Sequence, residues 1–399
     1  MTSGTARLSL LFSSLGHFYI HMFTAFYFTI VLRLEAEWGI AFHELVELWF
    51  WGSLLVGLAA LPAGWLGDRW SNPGMMVIYF IGLGAAAIAC GLVSGPTGLL
   101  LGLSAIGLFA AIYHPIGIPW LLRSAKTHTG KIMAVNGVFG SLGAAAAGLV
   151  SGLLIDLSGW RAAFILPGIC ALATGLAMLW FVRAGRIADS LAGAETEQEA
   201  GRGGALRAIA ILMIAMFVGG VIYHGTQTAL PKLFAERLQD VLSSGTTGIG
   251  IAVAAVYTFG GAMQLIGGHL ADRYPLKPVF VGAWCLEIVF LVILADATGL
   301  GVAGAAMLAV MANLGQIPAE NMLIARYAPP RRHGLVFGLK FVVMFGAAPL
   351  SVALVSRLRE ATGGFEWLFY GLGVAALLIS ALALLLPAPG RSAAPVTAE

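Results

Sequence analysis

The chain has 399 residues, of which 59% are hydrophobic and 10% charged, with a mean hydropathy of +0.91 and a formal net charge of +3. Soluble domains carry about 25% charged residues, so the composition excludes a water-soluble globular protein, and the small net charge gives no reason to expect a nucleic-acid partner. Three cysteines, Cys90, Cys170 and Cys285, are too few and too far apart for a disulfide framework or a thiolate metal site. Each falls in an apolar run and reads as a small hydrophobe in helix packing.

Runs of roughly twenty apolar residues, each long enough to span a bilayer core, recur from end to end. They predict twelve spans at about 8–32, 44–67, 75–94, 98–122, 132–155, 162–182, 208–231, 247–271, 278–296, 299–325, 334–356 and 366–386. The first run, Leu8 to Leu32, is too long for a signal-peptide core and lacks a small-residue cleavage site, so it reads as a retained helix. Connections are short except for Arg183 to Arg207, a polar stretch rich in Ala, Gly, Glu and Arg that reads as a linker. The expected organisation is an all-α membrane protein with a six-helix bundle at 1–183, a cytoplasmic linker at 184–206, a second bundle at 207–387 and a disordered tail at 388–399. With the N-terminus cytoplasmic, fifteen Lys and Arg fall on that side, including Lys126, Arg202, Arg331, Arg332 and Arg391, against six on the other. The positive-inside rule then places both termini in the cytoplasm. Trp38, Trp49 and Trp51 read as interfacial anchors, and Arg33, Glu44 and Glu47, at the outer ends of the first two spans, either gate the outer mouth or sit in water, the second reading being favoured.

Superposed on the spans is a repeat at an offset of 203–204 residues. Gly64-Trp65-Leu66-Gly67-Asp68-Arg69 recurs as Gly268-His269-Leu270-Ala271-Asp272-Arg273, His114-Pro115 as Ile317-Pro318, Arg123 as Arg326, and His21 as His224. One offset held over most of the chain means two homologous halves, each far longer than a solenoid unit.

The paired Gly-x-x-x-Asp-Arg segments, in short loops after the second and eighth spans, resemble the loop signature of the major facilitator superfamily. Gly159-Trp160-Arg161 before the sixth span extends the resemblance. Two departures stand out: Trp70-Ser71-Asn72-Pro73 replaces the glycine and basic residues that continue the signature, and the glycine-rich fifth span lacks the Gly-Pro pair of the family's antiporters. The Tyr113-His114-Pro115 corner and the histidine-bearing first span are most similar to the fosmidomycin-resistance-like exporters. The resemblance implies two six-helix bundles related by a pseudo-twofold axis, a site between them near the midplane, and a monomer. It also gives Gly64, Asp68, Arg69, Gly268, Asp272 and Arg273 a gating role, in which the aspartates cap a neighbouring helix and pair with an arginine in one access state.

Ionisable residues inside spans are expensive and point to function. His17 and His21 are four apart and share a helix face with Thr24. An imidazole titrates near neutral pH and can carry a proton or bind a solute, or it can simply bond a nearby carbonyl. His224 sits at the repeat-related place. His114 precedes a helix-kinking proline, and either satisfies the carbonyl freed there or faces His17. Glu320 and Lys340 lie at similar depth on neighbouring spans. A buried charge needs a partner, so they are expected to pair, either statically or as a switch in which protonation of Glu320 frees Lys340. Neutral polar residues expected around the cavity are Tyr113, Asn136, Tyr223 and Gln227, with Tyr257, Gln264, Asn313, Gln316 and Asn321. Glu287, on a peripheral span, reads as a packing contact.

The expected function is proton-coupled secondary transport of a small anionic or amphipathic organic solute by alternating access, in the export direction, in a bacterial inner membrane. No cofactor is expected, and the absence of a Walker-type loop and of a nucleophile–base spacing argues against ATP hydrolysis and enzymatic activity. Proton-coupled uptake and a lipid or lysolipid flippase are the alternatives. A metal or haem carrier is a further alternative, disfavoured because the histidines are scattered over three helices without thiolates or a carboxylate cluster.

Overall fold

The computed structural model describes residues 3–124, 129–187, 205–238, 245–328 and 333–387, and these form helices without strands. Twelve helical segments are long and apolar enough to cross a membrane, from Gly4–Trp38 to Glu366–Leu384, and each coincides with an expected span. The seventh, Ala205–Arg237, runs past its expected end at residue 231 because Pro231 is accommodated inside the helix. Membrane helices tolerate such prolines when neighbours satisfy the freed backbone group. The central linker beyond Ile187, the tail beyond Pro387, and Lys126, Arg202, Arg331, Arg332 and Arg391 lie outside the described residues.

Four spans are broken, and prolines account for three of the breaks. The fourth stops at Ala110 and resumes at Tyr113, just before Pro115, and the tenth stops at Gly315 and resumes at Ile317, just before Pro318. A proline cannot donate to the carbonyl four residues back but fits the first turn of a new helix. The second span breaks at Ala59, ahead of Pro62, and the first at Phe26. The Trp70–Pro73 departure from the family loop is a helix start: Ser71 caps the third span by accepting from the Gly74 amide at 3.1 Å.

The third and sixth spans pack together, as do the ninth and twelfth. The first packs on the fifth, and the eighth on the tenth. Glycines permit these approaches, since small residues let membrane helices close up where no hydrophobic effect drives them together. A Cβ on Gly143 would strike the Phe18 carbonyl, one on Gly107 the Gly52 carbonyl, and one on Gly267 the Gly315 carbonyl. Leucine, isoleucine and valine cover the exposed helix faces. Cys90 is buried, whereas Cys170 and Cys285 are exposed on outer faces and not packed as expected.

Both halves begin and end at one end of the bundle, the termini end, where Thr5 Oγ donates to the Arg186 carbonyl and Lys277 Nζ to the Leu384 carbonyl. At the opposite end the halves are tied together. Lys232 Nζ lies 2.6 Å from Glu35 Oε2, and Ser356 Oγ donates to Glu47 Oε1 at 2.9 Å. Asp156 caps the eighth span from the other half, accepting from the amides of Thr246 (3.2 Å) and Thr247 (2.7 Å). The contact continues to mid-depth, where Gly148 meets Gly250 and Gln264 Nε2 donates to Ser141 Oγ at 3.0 Å. Glu47 is therefore a tie between the halves at a partly solvated position. Glu44 caps its own short helix by accepting from the Ala41 amide.

Candidate functional site

A cavity of about 240 Å³ lies between the halves and is lined from both. The first half contributes His17, His21, Thr24 and His114, all on the first and fourth spans beside their breaks. The second half contributes Tyr223, His224, Gln227, Tyr257, Gln264, Asn313, Gln316, Glu320 and Asn321. Apolar walls come from Phe28, Phe341, Phe345 and Trp49. Trp49 is buried there because the second span turns at Leu48–Trp49, so it is not an interfacial anchor. Trp38 packs edge-on against Trp160, and only Trp51 of the three has an exposed ring.

Three expected members are not at the cavity surface. Tyr113 and Asn136 are fully buried behind it, held to each other by Asn136 Nδ2 donating to Tyr113 Oη at 3.0 Å, with Ser13 as a third partner. They brace His17: its ring stacks on Tyr113 at 5.2 Å, and its Nδ1 donates to the Asn136 carbonyl at 2.8 Å. Lys340 is also buried and does not line the cavity. It lies 2.9 Å from Glu320 Oε1 and also donates to Asn321 Oδ1, so the two side chains that show to the cavity are the partners and not the cation. At 5% and 4% side-chain exposure this is a buried ion pair, which persists only with a partner and supporting hydrogen bonds in place.

The histidines are not scattered. His17 Nε2 and His21 Nε2 are 3.2 Å apart, and the His114 ring meets both edge-on at 5.6 and 5.8 Å. The break in the fourth span turns Tyr113-His114 inward across the first span, a convergence that sequence spacing cannot show. His114 does not bond the carbonyl freed by Pro115: both its ring nitrogens are buried without a hydrogen-bond partner, and its ring stacks over Phe341 at 5.0 Å. His224 lines the cavity without joining the cluster, its ring 6.3 Å from Phe345.

Glu287 reaches further than its peripheral span suggested. Its Oε1 accepts from Asn313 Nδ2 at 2.9 Å, Oε2 has no hydrogen-bond partner, and the carboxylate borders a small void shared with Tyr223, Thr226 and Asn313. A buried acid in an otherwise apolar segment was the signal for it. Asp156, Glu35 and Lys232 carried no signal, because their partners lie in the other half.

Asp68 and Asp272 are exposed and have no hydrogen-bond or ion-pair partner among the described residues. Arg69 stacks over Trp65 at 4.2 Å, and the nearby Arg123 donates to Asn72 Oδ1 at 2.9 Å. Both segments are the last turns of helices, Ala60–Arg69 and Gly245–Arg273, and not loops as expected, and among the described residues they make none of the cross-contacts that the family resemblance assigns to one access state.

The profile of the Major Facilitator Superfamily matches residues 13–245 and 212–399. Among characterised relatives, the tetracenomycin C resistance and export protein of Streptomyces glaucescens is 26% identical over 306 residues, which cover 70% of this chain and 52% of that one. This chain therefore spans about half the length of that exporter. The uncharacterised MFS-type transporter YfnC of Bacillus subtilis (strain 168) is 23% identical, covering 83% and 81%. Solved structures share the fold: a bacterial homologue of the human lysosomal transporter Spinster, inward-facing and occupied, has a TM-score of 0.76 at 12% identity, covering 97% of each chain. The peptide transporter POT in complex with sulfate has a TM-score of 0.75 at 14% identity, covering 94% and 93%. On the family match over nearly its whole length, with twelve spans in two repeated halves, the chain belongs to the Major Facilitator Superfamily.

Proposed function

We propose that the protein is a proton-coupled exporter of a small amphipathic, aromatic organic solute, working by alternating access as a monomer in a bacterial inner membrane with both termini cytoplasmic. The observation that carries this reading is the buried Glu320–Lys340 pair at the wall of a cavity whose other surfaces are aromatic and aliphatic. With Lys340 neutralised and set back from the surface, the wall offers ring faces and neutral hydrogen-bonding groups, which suit an aromatic solute better than a free carboxylate. Similarity to an exporter of tetracenomycin C favours the same substrate class and direction.

In this reading the termini end is cytoplasmic, and the arrangement with Glu35–Lys232, Glu47–Ser356 and Asp156–Thr247 joined is the inward-open state. Solute entering from the cytoplasm meets Glu320 and Asn321. Protonation of Glu320 from the outer side breaks its ion pair with Lys340, leaves the ammonium held by Asn321 and weakens the wall's hold on the solute, and loss of the proton to the cytoplasm restores the pair. Asp68 and Asp272 close the termini end in the other state and touch no solute.

The test is thermal stability of the purified protein against a panel of solutes. A ligand that binds only the folded state stabilises it by RT ln(1 + [L]/Kd). Tetracenomycin C and other amphipathic aromatic solutes are expected to raise the Tm, and the rise to shrink in Tyr257→Ala and Phe345→Ala. Stabilisation by simple organic anions alone would point to Lys340 as the direct ligand and overturn the aromatic reading. A response to lysolipids alone would indicate a flippase.

A further inference from the structure

The cluster on the first and fourth spans has the arrangement of a transition-metal site, and we propose that His17, His21 and His114 together bind one zinc-class divalent ion at the cavity wall. One ring nitrogen from each lies within 4.8 Å of those from the other two. A tetrahedral ion with metal–nitrogen bonds of about 2.0–2.1 Å sets its ligand nitrogens about 3.3 Å apart. The His17–His21 pair, at 3.2 Å, already has that spacing, and the third ligand needs to close by at most about 1.5 Å.

Three further features fit a metal better than a packing cluster. Two histidines four apart on one helix face present their rings to a common point, the spacing used by helical zinc sites. His17 donates its Nδ1 proton to the Asn136 carbonyl, which fixes the tautomer and leaves the Nε2 lone pair to accept from His21 Nε2, 3.2 Å away, whose proton a bound ion would replace. Metal-bound histidines nearly always make such a second contact, because it orients the ring and raises its basicity. In turn Asn136 is held through its side chain by Tyr113 and Ser13. Finally, His114 is buried to 6% exposure with neither nitrogen bonded. A buried imidazole without a partner is costly, and a metal ion would satisfy it.

All three side chains line the cavity, so the fourth coordination position opens into it. Three protein ligands with an open fourth position is the pattern of zinc sites that engage a further molecule. Among the described residues no carboxylate or thiolate joins the cluster. The ion therefore keeps its positive charge and takes an oxygen or nitrogen donor from water or from a solute in the cavity.

The experiment uses the tag-free full chain in detergent micelles, titrated with Co²⁺ as a spectroscopic stand-in for zinc. One equivalent is expected to give the intense visible bands of tetrahedral Co²⁺, displaced by one equivalent of Zn²⁺. His21→Asn and His114→Asn should each lower affinity by more than about 100-fold, beyond what loss of a supporting group costs. His269→Asn, at an exposed position near the end of the eighth span, should leave affinity unchanged. Zinc-edge X-ray absorption on the wild type counts imidazole ligands without any variant, so poor folding of a variant leaves the test intact. Three imidazoles support the site. Two or fewer, no stoichiometric binding, or bands that survive in folded His21→Asn would overturn it.

Discussion

The fourth and tenth spans break at Ala111–Ile112 and at Gln316, positions one repeat apart, yet the polar groups beside the two breaks are unlike. In the first half the break brings three imidazoles together, braced by Asn136 and Tyr113. In the second it presents Glu320 to Lys340. Lys340 lies 204 residues after Asn136, so one position anchors the cavity's polar partner in both halves with different chemistry: a carbonyl that fixes an imidazole, and an ammonium that balances a carboxylate. Duplication preserved the skeleton because glycine contacts and proline breaks are set by helix packing. The cavity side chains carry no packing duty that would hold the two copies alike, and they diverged.

Removing Lys340 should break this contrast most severely. Lys340→Ala leaves Glu320 buried without its partner, and breaking a buried pair from one side costs about 3–5 kcal/mol. A large fall in Tm and loss of transport are expected. The double variant Glu320→Gln/Lys340→Met should recover most of the Tm without proton-coupled transport, because no buried charge remains. Recovery of coupled transport in the double variant would remove the pair from the mechanism.

The shared skeleton predicts matched effects in the two halves. Gly107→Ala and Gly267→Ala each drive a methyl group onto a backbone carbonyl of the adjacent span, Gly52 and Gly315 respectively. Overpacking of this kind costs about 1–3 kcal/mol, so unfolding midpoints should fall in both, by similar amounts. A loss confined to one half would mean that the halves are not mechanically equivalent.

Much of this skeleton was legible in the sequence. Length and apolarity marked each span, and the offset of Asp68-Arg69 and Asp272-Arg273 marked the duplication. Glu320 and Lys340 could be paired because both are costly in a membrane and lie at similar depth on adjacent spans. The histidine cluster was legible only in part: spacing put His17 and His21 on one face, and His114 facing His17 was one of two alternatives left open. Its convergence depends on the inward turn at Tyr113-His114, and spacing along separate helices says nothing of their rotation. Tyr113, Asn136 and Lys340 were expected at the cavity surface on polarity alone, whereas each spends its polar group on a neighbour behind the wall. The ties of Glu35, Glu47 and Asp156 stayed hidden because their partners belong to the other half.

Smaller effects should separate those ties from the signature aspartates. Asp156→Ala removes a helix cap that spans the halves, worth about 1 kcal/mol, and Glu35→Gln weakens a part-exposed ion pair worth about 0.2–1 kcal/mol. Both should shift the population toward the state open at the end opposite the termini, the first more than the second. Spin-label distances across that end should lengthen accordingly, and unchanged distances would show that the ties do not set the state. Asp68→Asn should change these distances least in the state described here, where Asp68 has no partner among the described residues. It should slow turnover while leaving solute affinity nearly intact, and an equal loss of both would count against a gating role.

The most direct test of the account follows protons and solute together. Purified protein in liposomes with an internal pH dye would be given an amphipathic aromatic solute that raises its Tm, and the wild type compared with Glu320→Gln. The account predicts that solute flux in the wild type moves protons the opposite way, and that Glu320→Gln exchanges solute without moving protons. Proton movement that persists in Glu320→Gln, or solute transport without proton movement in the wild type, would contradict it.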